Sequence, residues 1–320
     1  DLNPSYTFYV RCAYAKLSEL KSQGFSKVFT VSIGSRGHAI ACAARQLGIS
    51  ATIVMPEGTP QSRGRLIERK GQTVVQHGST MSEAQAEAQR LSDAEGGVLL
   101  SAHDDPLVIA GSATCGIEVM RQHGAAVSAA LAHAGLIGGA SPTPAPPIDA
   151  VFVPVGGGSL LAGVASAVKM ISPSTKVIAV EPEGVDVMRQ SLLRGHCVTI
   201  DEPGVDGIWV RQLGPEVFRV CDELVDDIVV VSDAEIAQAI RDAFEDTRAL
   251  LEPAGAISIA GLVKWRESQL AHGEGSISPH GGSFVAIASD ACNIEFDLIK
   301  EFASGASIVR VSGDAADHLK

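Results

Sequence analysis

The chain is poor in positive charge, in aromatic residues and in long apolar runs, and each shortage excludes something. Only 25 Lys+Arg stand against 37 Asp+Glu, a formal net charge of −12. Phosphate backbones and anionic lipid repel such a surface at long range, which excludes nucleic acid and membrane surfaces as partners. No apolar run reaches the ~18 residues of a membrane-spanning helix. The most apolar helix-like stretch, Ala125 to Leu136, is interrupted by His133 and ends in glycines. The N-terminus has no basic segment followed by an apolar one, so no signal peptide is read and a cytoplasmic location is expected. The six cysteines (Cys12, Cys42, Cys115, Cys197, Cys221 and Cys292) show no CxxC or Cys/His spacing, which points to reduced thiols and to no zinc site. No repeat of 20 to 50 residues is present.

What remains is 46% hydrophobic residues and 33 Gly with only 4% aromatics. That is the profile of α/β proteins, in which small residues let helices approach a sheet closely. At 320 residues the chain can bury the core of one large α/β domain or of two smaller ones.

Along the chain, Arg11 to Leu20 reads as a helix and Val28 to Val31 as a strand. A glycine turn over Gly34 to Gly37 then leads into an Ala-rich helix, Ile40 to Leu47, and a strand, Ala51 to Met55. Arg63 to Lys70, Thr73 to Gln76 and Met81 to Leu91 continue as helix, strand and helix, and Val108 to Gln122 is a further helix. This alternation predicts a parallel sheet with crossover helices. Gly138 to Pro147, with four prolines in its last six residues, cannot hold a helix or a central strand and reads as a surface insertion. A second βαβ unit follows: strand Ala150 to Val155, turn Gly156 to Ser159, helix Leu160 to Ile171, strand Lys176 to Val180. Val229 to Val231 is a strand, Asp233 N-caps an amphipathic helix, and a helix after Glu252-Pro253 runs through Trp265. The strand Phe284 to Ala288 delivers Ser289 to Asn293 at its C-terminal end, where open α/β sheets place their sites.

Gly156-Gly157-Gly158-Ser159 is the strongest local signal. A glycine turn between strand and helix points several backbone N–H groups at the positive end of a helix dipole, which suits a phosphate. Its bland counterpart is a tight turn for close packing. A dinucleotide site fails on spacing, since Leu161 stands where the third glycine of Gly-x-Gly-x-x-Gly belongs.

The opening, Asn3-Pro4-Ser5-Tyr6-Thr7-Phe8-Tyr9-Val10-Arg11-Cys12-Ala13-Tyr14, is followed by Ser32-Ile33-Gly34-Ser35-Arg36-Gly37-His38-Ala39. Then come Met55-Pro56-Glu57-Gly58-Thr59-Pro60, Gln76-His77-Gly78, and Asp104-Asp105-Pro106-Leu107-Val108-Ile109-Ala110-Gly111. The glycine loop, Val180-Glu181-Pro182, Asp206-Gly207-Ile208, Leu251-Glu252-Pro253-Ala254-Gly255-Ala256 and Ser289 complete the series. From Asn3 to about Leu298 this order resembles the threonine and serine dehydratases of the fold-type II pyridoxal-phosphate (PLP) family. The resemblance implies a two-domain α/β architecture of the tryptophan synthase β type. Residues 10–118 would form the smaller domain, and residues 1–9 with 119–320 the larger one carrying the glycine loop. It also implies a homodimer. Dehydratase-like chains usually have a strand region before this opening, and some carry a C-terminal regulatory domain that the resemblance does not reach.

In that family the opening segment carries a lysine that holds the cofactor as a Schiff base, and the matching position here is Tyr9. None of the nine lysines falls in a motif that would replace it. The resemblance implies that Gly156, Gly157, Gly158 and Ser159 hold a phosphate and that Ser289 meets the pyridine nitrogen. Ser35, Arg36 and His38 replace the family's Asn, His and Gln, and Asp290 and Cys292 replace its Gly and Asn. These differences gather where ring and substrate would lie. Tyr9 and His38 are expected as acid/base groups and Arg36 as an anion binder, because all three types move protons or stabilise anions. Ser32, Ser35, Gly37 and Asp290 are expected to bind substrate. Glu181 matches the first ligand of a divalent metal held by some members, but Val187 stands at the partner position with Asp186 beside it, so no metal is expected. The leading expectation is an enzyme without covalent PLP, carrying out elimination, isomerisation or cyclisation on a carboxylate- or carbonyl-bearing small molecule. Non-covalent PLP, or another anion in the glycine loop, is left open. The alternatives are a pseudoenzyme that assembles with or regulates an active dehydratase, and an ammonia-lyase with non-covalent PLP.

Overall fold

The computed structural model of the chain describes residues 3–101, 103–133, 147–200, 204–205, 210–271, 282–294 and 310–311. The proline-rich insertion up to residue 146 and Asp206-Gly207-Ile208 lie outside them.

The first half builds α1 (Tyr9–Ser22), β1 (Lys27–Val31), α2 (Ser35–Leu47), β2 (Ser50–Met55), α3 (Gln61–Glu68), β3 (Thr73–Gln76), α4 (Met81–Glu95) and β4 (Val98–Leu99). Its four strands form a parallel sheet in the order β3-β2-β1-β4. After α5 (Pro106–His133) come β5 (Ala150–Pro154), α6 (Ser159–Ile171), β6 (Lys176–Pro182), α7 (Val187–Arg194), β7 (Gly204–Val205) and α8 (Pro215–Leu224). They are followed by β8 (Asp227–Val231), α9 (Asp233–Thr247), α10 (Pro253–Ala271), β9 (Phe284–Ala286) and β10 (Arg310–Val311). Strands β8-β6-β5-β9 make a second parallel sheet, while β7 and β10 pair antiparallel.

Every residue of β5 is buried, as a parallel strand covered by helices on both faces requires. Phe152, Leu161, Ile178 and Met188 are fully buried in the larger core, and Leu17, Ile53 and Ile67 in the smaller one. Helix α5 packs against α1 on one side and α6 on the other, with Cys12 Sγ 3.0 Å from Ser112 Oγ. The division expected between residues 118 and 119 falls inside this helix. No disulfide forms among the six cysteines, and no helix of the described residues is long and apolar enough to cross a membrane.

Two local expectations are corrected. Gly34 to Gly37 is not a turn ahead of the helix, because α2 begins at Ser35. The hydroxyl of Ser32 accepts the N–H groups of Gly34 (3.3 Å) and Gly37 (2.9 Å), supplying the cap that Gly34 lacks. Ser232, not Asp233, caps α9, in a capping box with Glu235. Elements β4, α7 and α8 had no reading in the sequence.

Candidate active site

The C-terminal ends of the two sheets, the start of α1 and the start of α6 meet around Tyr9. The segment before α1 is laced to the segment after β9. Phe8 N–H donates to Ser289 O (3.1 Å), Ala291 N–H donates to Tyr6 O (2.9 Å), and Thr7 pairs with Asp290. This lacing sets Tyr9, Ser289 and Asp290 opposite the glycine loop. Phe8, Tyr9, Gly156 to Leu160, Ala254, Ser289 and Asp290 line a cavity of about 30 Å³, room for roughly two waters. A neighbouring cavity of about 130 Å³ is lined by Tyr9, Ser32 to Arg36, Arg63, His103, Gly157 and Asn293, among others. Tyr9 and Gly157 belong to both walls.

Gly158 caps α6 at φ 78°, a left-handed conformation suited to glycine, and no side chain caps this helix. The first N–H groups of α6, on Ser159, Leu160 and Leu161, therefore have no helical acceptor and can take an anion. Ser289 Oγ, also in this wall, lies 3.4 Å from Ala254 O.

Two charged groups, Asp290 and Arg36, act most strongly on Tyr9. Burial pushes its phenol above the ordinary tyrosine range and Asp290 pushes the same way, while Arg36 pulls back; the hydroxyl keeps its proton. Arg36 donates from Nη1 to Val31 O (3.1 Å) and from Nη2 to Ser101 O (2.8 Å) and Leu100 O (3.4 Å), tying the ends of β1 and β4 together. Burial lowers its pKa to about 10, so it stays cationic at neutral pH. Asp290 Oδ2 accepts from Thr7 Oγ1 (2.9 Å) and Oδ1 from Cys292 N–H (3.2 Å), and the Ser35 hydroxyl also donates to this carboxyl. Burial nevertheless raises Asp290 to about 6.

The structure brings Tyr9, Arg36, Ser32, Ser35, Asp290, Ser289 and the glycine loop to these two cavities. It does not bring His38 there. The His38 ring is buried, with Nδ1 3.4 Å from Cys292 Sγ and Nε2 3.7 Å from Cys42 Sγ, and it lines neither cavity. Burial, and then Lys70, lower its pKa. Gly37 faces the core, where a Cβ would press on Ser32, Ile53 and Ile67 at 3.1–3.2 Å. Glu181 caps α7, its two oxygens accepting Met188 N–H (2.8 Å) and Arg189 N–H (2.9 Å).

His103 is the residue that sequence reasoning missed. Its ring lies directly against Gly157, where a Cβ would collide with it, and 6.4 Å from the Tyr9 ring. Its Nδ1 is sealed without a hydrogen-bond partner, and burial, then Arg36, push its pKa down to about 3, so the imidazole is neutral. The ring is rigidly mounted. Asp104 Oδ1 accepts Val217 N–H (2.9 Å) at the start of α8, Asp105 Oδ1 accepts Leu107 N–H (2.8 Å) at the start of α5, and Asp105 also pairs with Lys16 (2.6 Å). The signal was the histidine directly ahead of two helix-capping aspartates.

Tested against pyridoxal phosphate, the donor set divides. The free N–H groups of the loop suit its phosphate, and Ser289 suits its ring nitrogen. An imine needs an amine, and no lysine lines either cavity.

The family model described as "Pyridoxal-phosphate dependent enzyme" matches residues 1–278. The mitochondrial threonine dehydratase of Schizosaccharomyces pombe is 35% identical over 311 residues, 96% of this chain and 47% of that protein. The chain spans about half the length of the curated relatives it matches. Among solved structures, the processed form of threonine deaminase isoform 2 from Solanum lycopersicum superposes with a TM-score of 0.82 at 35% identity, covering 96% of this chain and 81% of that one. Maize serine racemase superposes with a TM-score of 0.78 at 27% identity, covering 94% and 84%. With the two parallel sheets flanked by helices and the glycine loop between them, this chain belongs to the pyridoxal-phosphate-dependent enzyme family, in its fold-type II, threonine dehydratase-like branch.

Proposed function

We propose that this chain is a lyase- or isomerase-type enzyme that works on a small carboxylate- or carbonyl-bearing substrate without a lysine-bound cofactor. The observation that carries this reading is the phenol of Tyr9, set between the glycine loop, Asp290 and Arg36 with no lysine in the wall of either cavity. Lys16, across a smaller cavity behind Tyr9, is paired with Asp105 (2.6 Å). In the family resemblance Tyr9 holds the position of the Schiff-base lysine, and a phenol forms no imine. When bound, pyridoxal phosphate supplies an aldehyde and an electron-accepting ring; Gly156 to Ser159 and Ser289 are the residues that would hold it non-covalently.

The chain's own groups divide the remaining work. The loop N–H groups hold an anion. Tyr9, protonated throughout the neutral range, is placed to give its proton to a substrate oxygen, either a leaving hydroxyl or a carbonyl. The Arg36 charge is fixed in advance by strand carbonyls, so it stabilises developing negative charge without reorganising. His38 has no part in this reading, since it lines neither cavity.

Borohydride reduction after incubation with pyridoxal phosphate tests the proposal. The expected result is no cofactor fixed to a specific lysine. A yellow species that borohydride bleaches, with stoichiometric label on one lysine, would overturn it. Activity that arises only on mixing with a lysine-bearing dehydratase would replace it by a regulatory role.

A further inference from the structure

We infer that the substrate is a short oxo acid seated in the cavity of about 130 Å³, and that His103 is a catalytic residue donating Nε2–H to its carbonyl oxygen. The inference rests on the reading above of a carboxylate- or carbonyl-bearing substrate. It adds the residue that meets the carbonyl and the class of acid that fits.

Two polar groups in the wall of this cavity have no protein partner. Nδ1 of His103 is sealed without one, and Nε2, which is not sealed, bonds to none of the described residues. The Tyr9 hydroxyl likewise bonds to none of them and is not sealed. Both rings line the cavity, with centroids 6.4 Å apart, so one small molecule spans them. At about 130 Å³ the space holds roughly ten waters, enough for a short acid. The atoms of His103 that meet Gly157 are Cγ, Nδ1 and Cδ2. That contact turns Nε2 away from the glycine loop and toward the cavity that the ring lines.

Packing alone does not explain a histidine at this place. A phenyl ring would fill the space against Gly157 without sealing a nitrogen, and a buried polar atom without a partner is costly. The seal also fixes the tautomer. An orphaned N–H is the rarer defect in protein interiors than an orphaned lone pair, so the proton sits on Nε2, where a ligand oxygen can accept it. Burial, then Arg36, keep the ring neutral. A neutral imidazole in a preorganised site is a donor suited to an oxygen that gains negative charge, and no proton leaves or joins the ring. Arg36 accounts for the acid. It lines the same cavity, gives N–H groups to three strand-end carbonyls, and among the described residues pairs with no carboxylate. A guanidinium drawn out of water without a counter-charge favours an anionic ligand.

Calorimetric titration with pyruvate against propionate, and with 3-oxobutanoate against butanoate, tests this, since each pair differs in the oxo group alone. The wild-type chain is expected to bind at least one oxo acid about threefold to tenfold more tightly than its parent, the worth of one neutral hydrogen bond. His103→Phe should erase that preference while the parent acids bind as before, and Arg36→Met should weaken all four. If no acid binds the wild type, or if both pairs bind equally, the inference is overturned. A preference that survives in His103→Phe overturns it too, as does undiminished binding of all four by Arg36→Met. Should His103→Phe not fold, nitrogen-15 spectra of the histidine-labelled wild type decide, with His103 identified by its through-space contact with the Tyr9 ring. Its signals should be those of a neutral ring protonated on Nε2 at pH ~5, and that N–H should shift with an oxo acid but not with the parent. A cationic ring, the other tautomer or an unmoved N–H overturns the inference. The borohydride result is separate: a lysine imine overturns the reading above even where the oxo preference holds, whereas no imine and no oxo preference overturns this inference alone.

Discussion

Replacing Glu181 by glutamine isolates the cost of keeping a carboxylate at the end of β6. Glu181 is fully buried, and its oxygens each accept one N–H from the first turn of α7. Those bonds favour the charged form, yet burial outweighs them and raises the pKa to about 8. The folded chain therefore holds a proton that the unfolded chain, titrating near ~4.3, has already released. Between these values the native state binds more protons than the unfolded state. Stability accordingly falls as pH rises through that window, at about 1.4 kcal/mol per pH unit. Over the whole interval the loss approaches ~5 kcal/mol, an upper bound since the unfolded chain also has some structure. Glutamine does not titrate. At the acid end it resembles the protonated carboxyl, with one oxygen accepting and one group opposing an N–H, so Glu181→Gln should lie within about 1–2 kcal/mol of wild type. Toward pH ~9 it should become the more stable protein. Urea unfolding of both chains at several pH values measures the difference directly. Stability curves that stay parallel from acid to alkaline pH would refute the argument and show that the α7 N–H groups keep Glu181 ionised.

Three further outcomes follow from the site. Gly157→Ala drives a Cβ into the His103 ring and should cost about 1–3 kcal/mol in urea unfolding and weaken phosphate binding, with much of both recovered in the Gly157→Ala, His103→Ala double variant. Arg36→Met keeps the aliphatic stem but strips donors from three strand-end carbonyls, so it should lose about 2–3 kcal/mol by the same assay together with anion affinity. Tyr9→Lys puts an amine in the cavity wall, and with pyridoxal phosphate it should give a yellow imine that borohydride fixes within the peptide covering position 9. Absence of that imine would show that position 9 is not where the cofactor's aldehyde lies.

The scaffold was legible because its signals are periodic and local. β5 reads as an unbroken apolar run, and in the structure all of it is buried. The ordered series of motifs then tied the halves into one fold. The site was legible only where a motif carried it, as at Tyr9, the glycine loop and Ser289. His38 sits one turn along α2 from Ser35, and sequence distance could not show that the helix aims it at two thiols instead of the cavity. That orientation depends on where α2 begins, which in turn depends on the Ser32 hydroxyl reaching forward to Gly37. His103 went unread for the opposite reason: β4 has two residues, too few to show that they deliver a ring onto a loop more than fifty positions away. The acid that accepts an N–H from the first turn of α8 is Asp104, 113 positions away, while α7 takes its partner from Glu181 because the carboxylate of Asp186, at its N-cap position, accepts from the Arg189 and Gln190 side chains instead.

The lacing of Thr7 to Asp290 joins residues separated by 283 positions. Ribosomal synthesis delivers Tyr9 before Asp290, so the wall of the cavity cannot close until both parallel sheets that lie between them in the chain have been made. Contacts this distant in sequence form slowly, after the loop-closure cost of the intervening chain has been met. The first sheet can assemble early, but a nascent or truncated chain ending before Ser289 holds Tyr9 with nothing laced against it. Competence to bind thus reports completion of both parallel sheets, and ligand protection of the Tyr6–Phe8 peptide bonds against proteolysis would serve as a measure of that step.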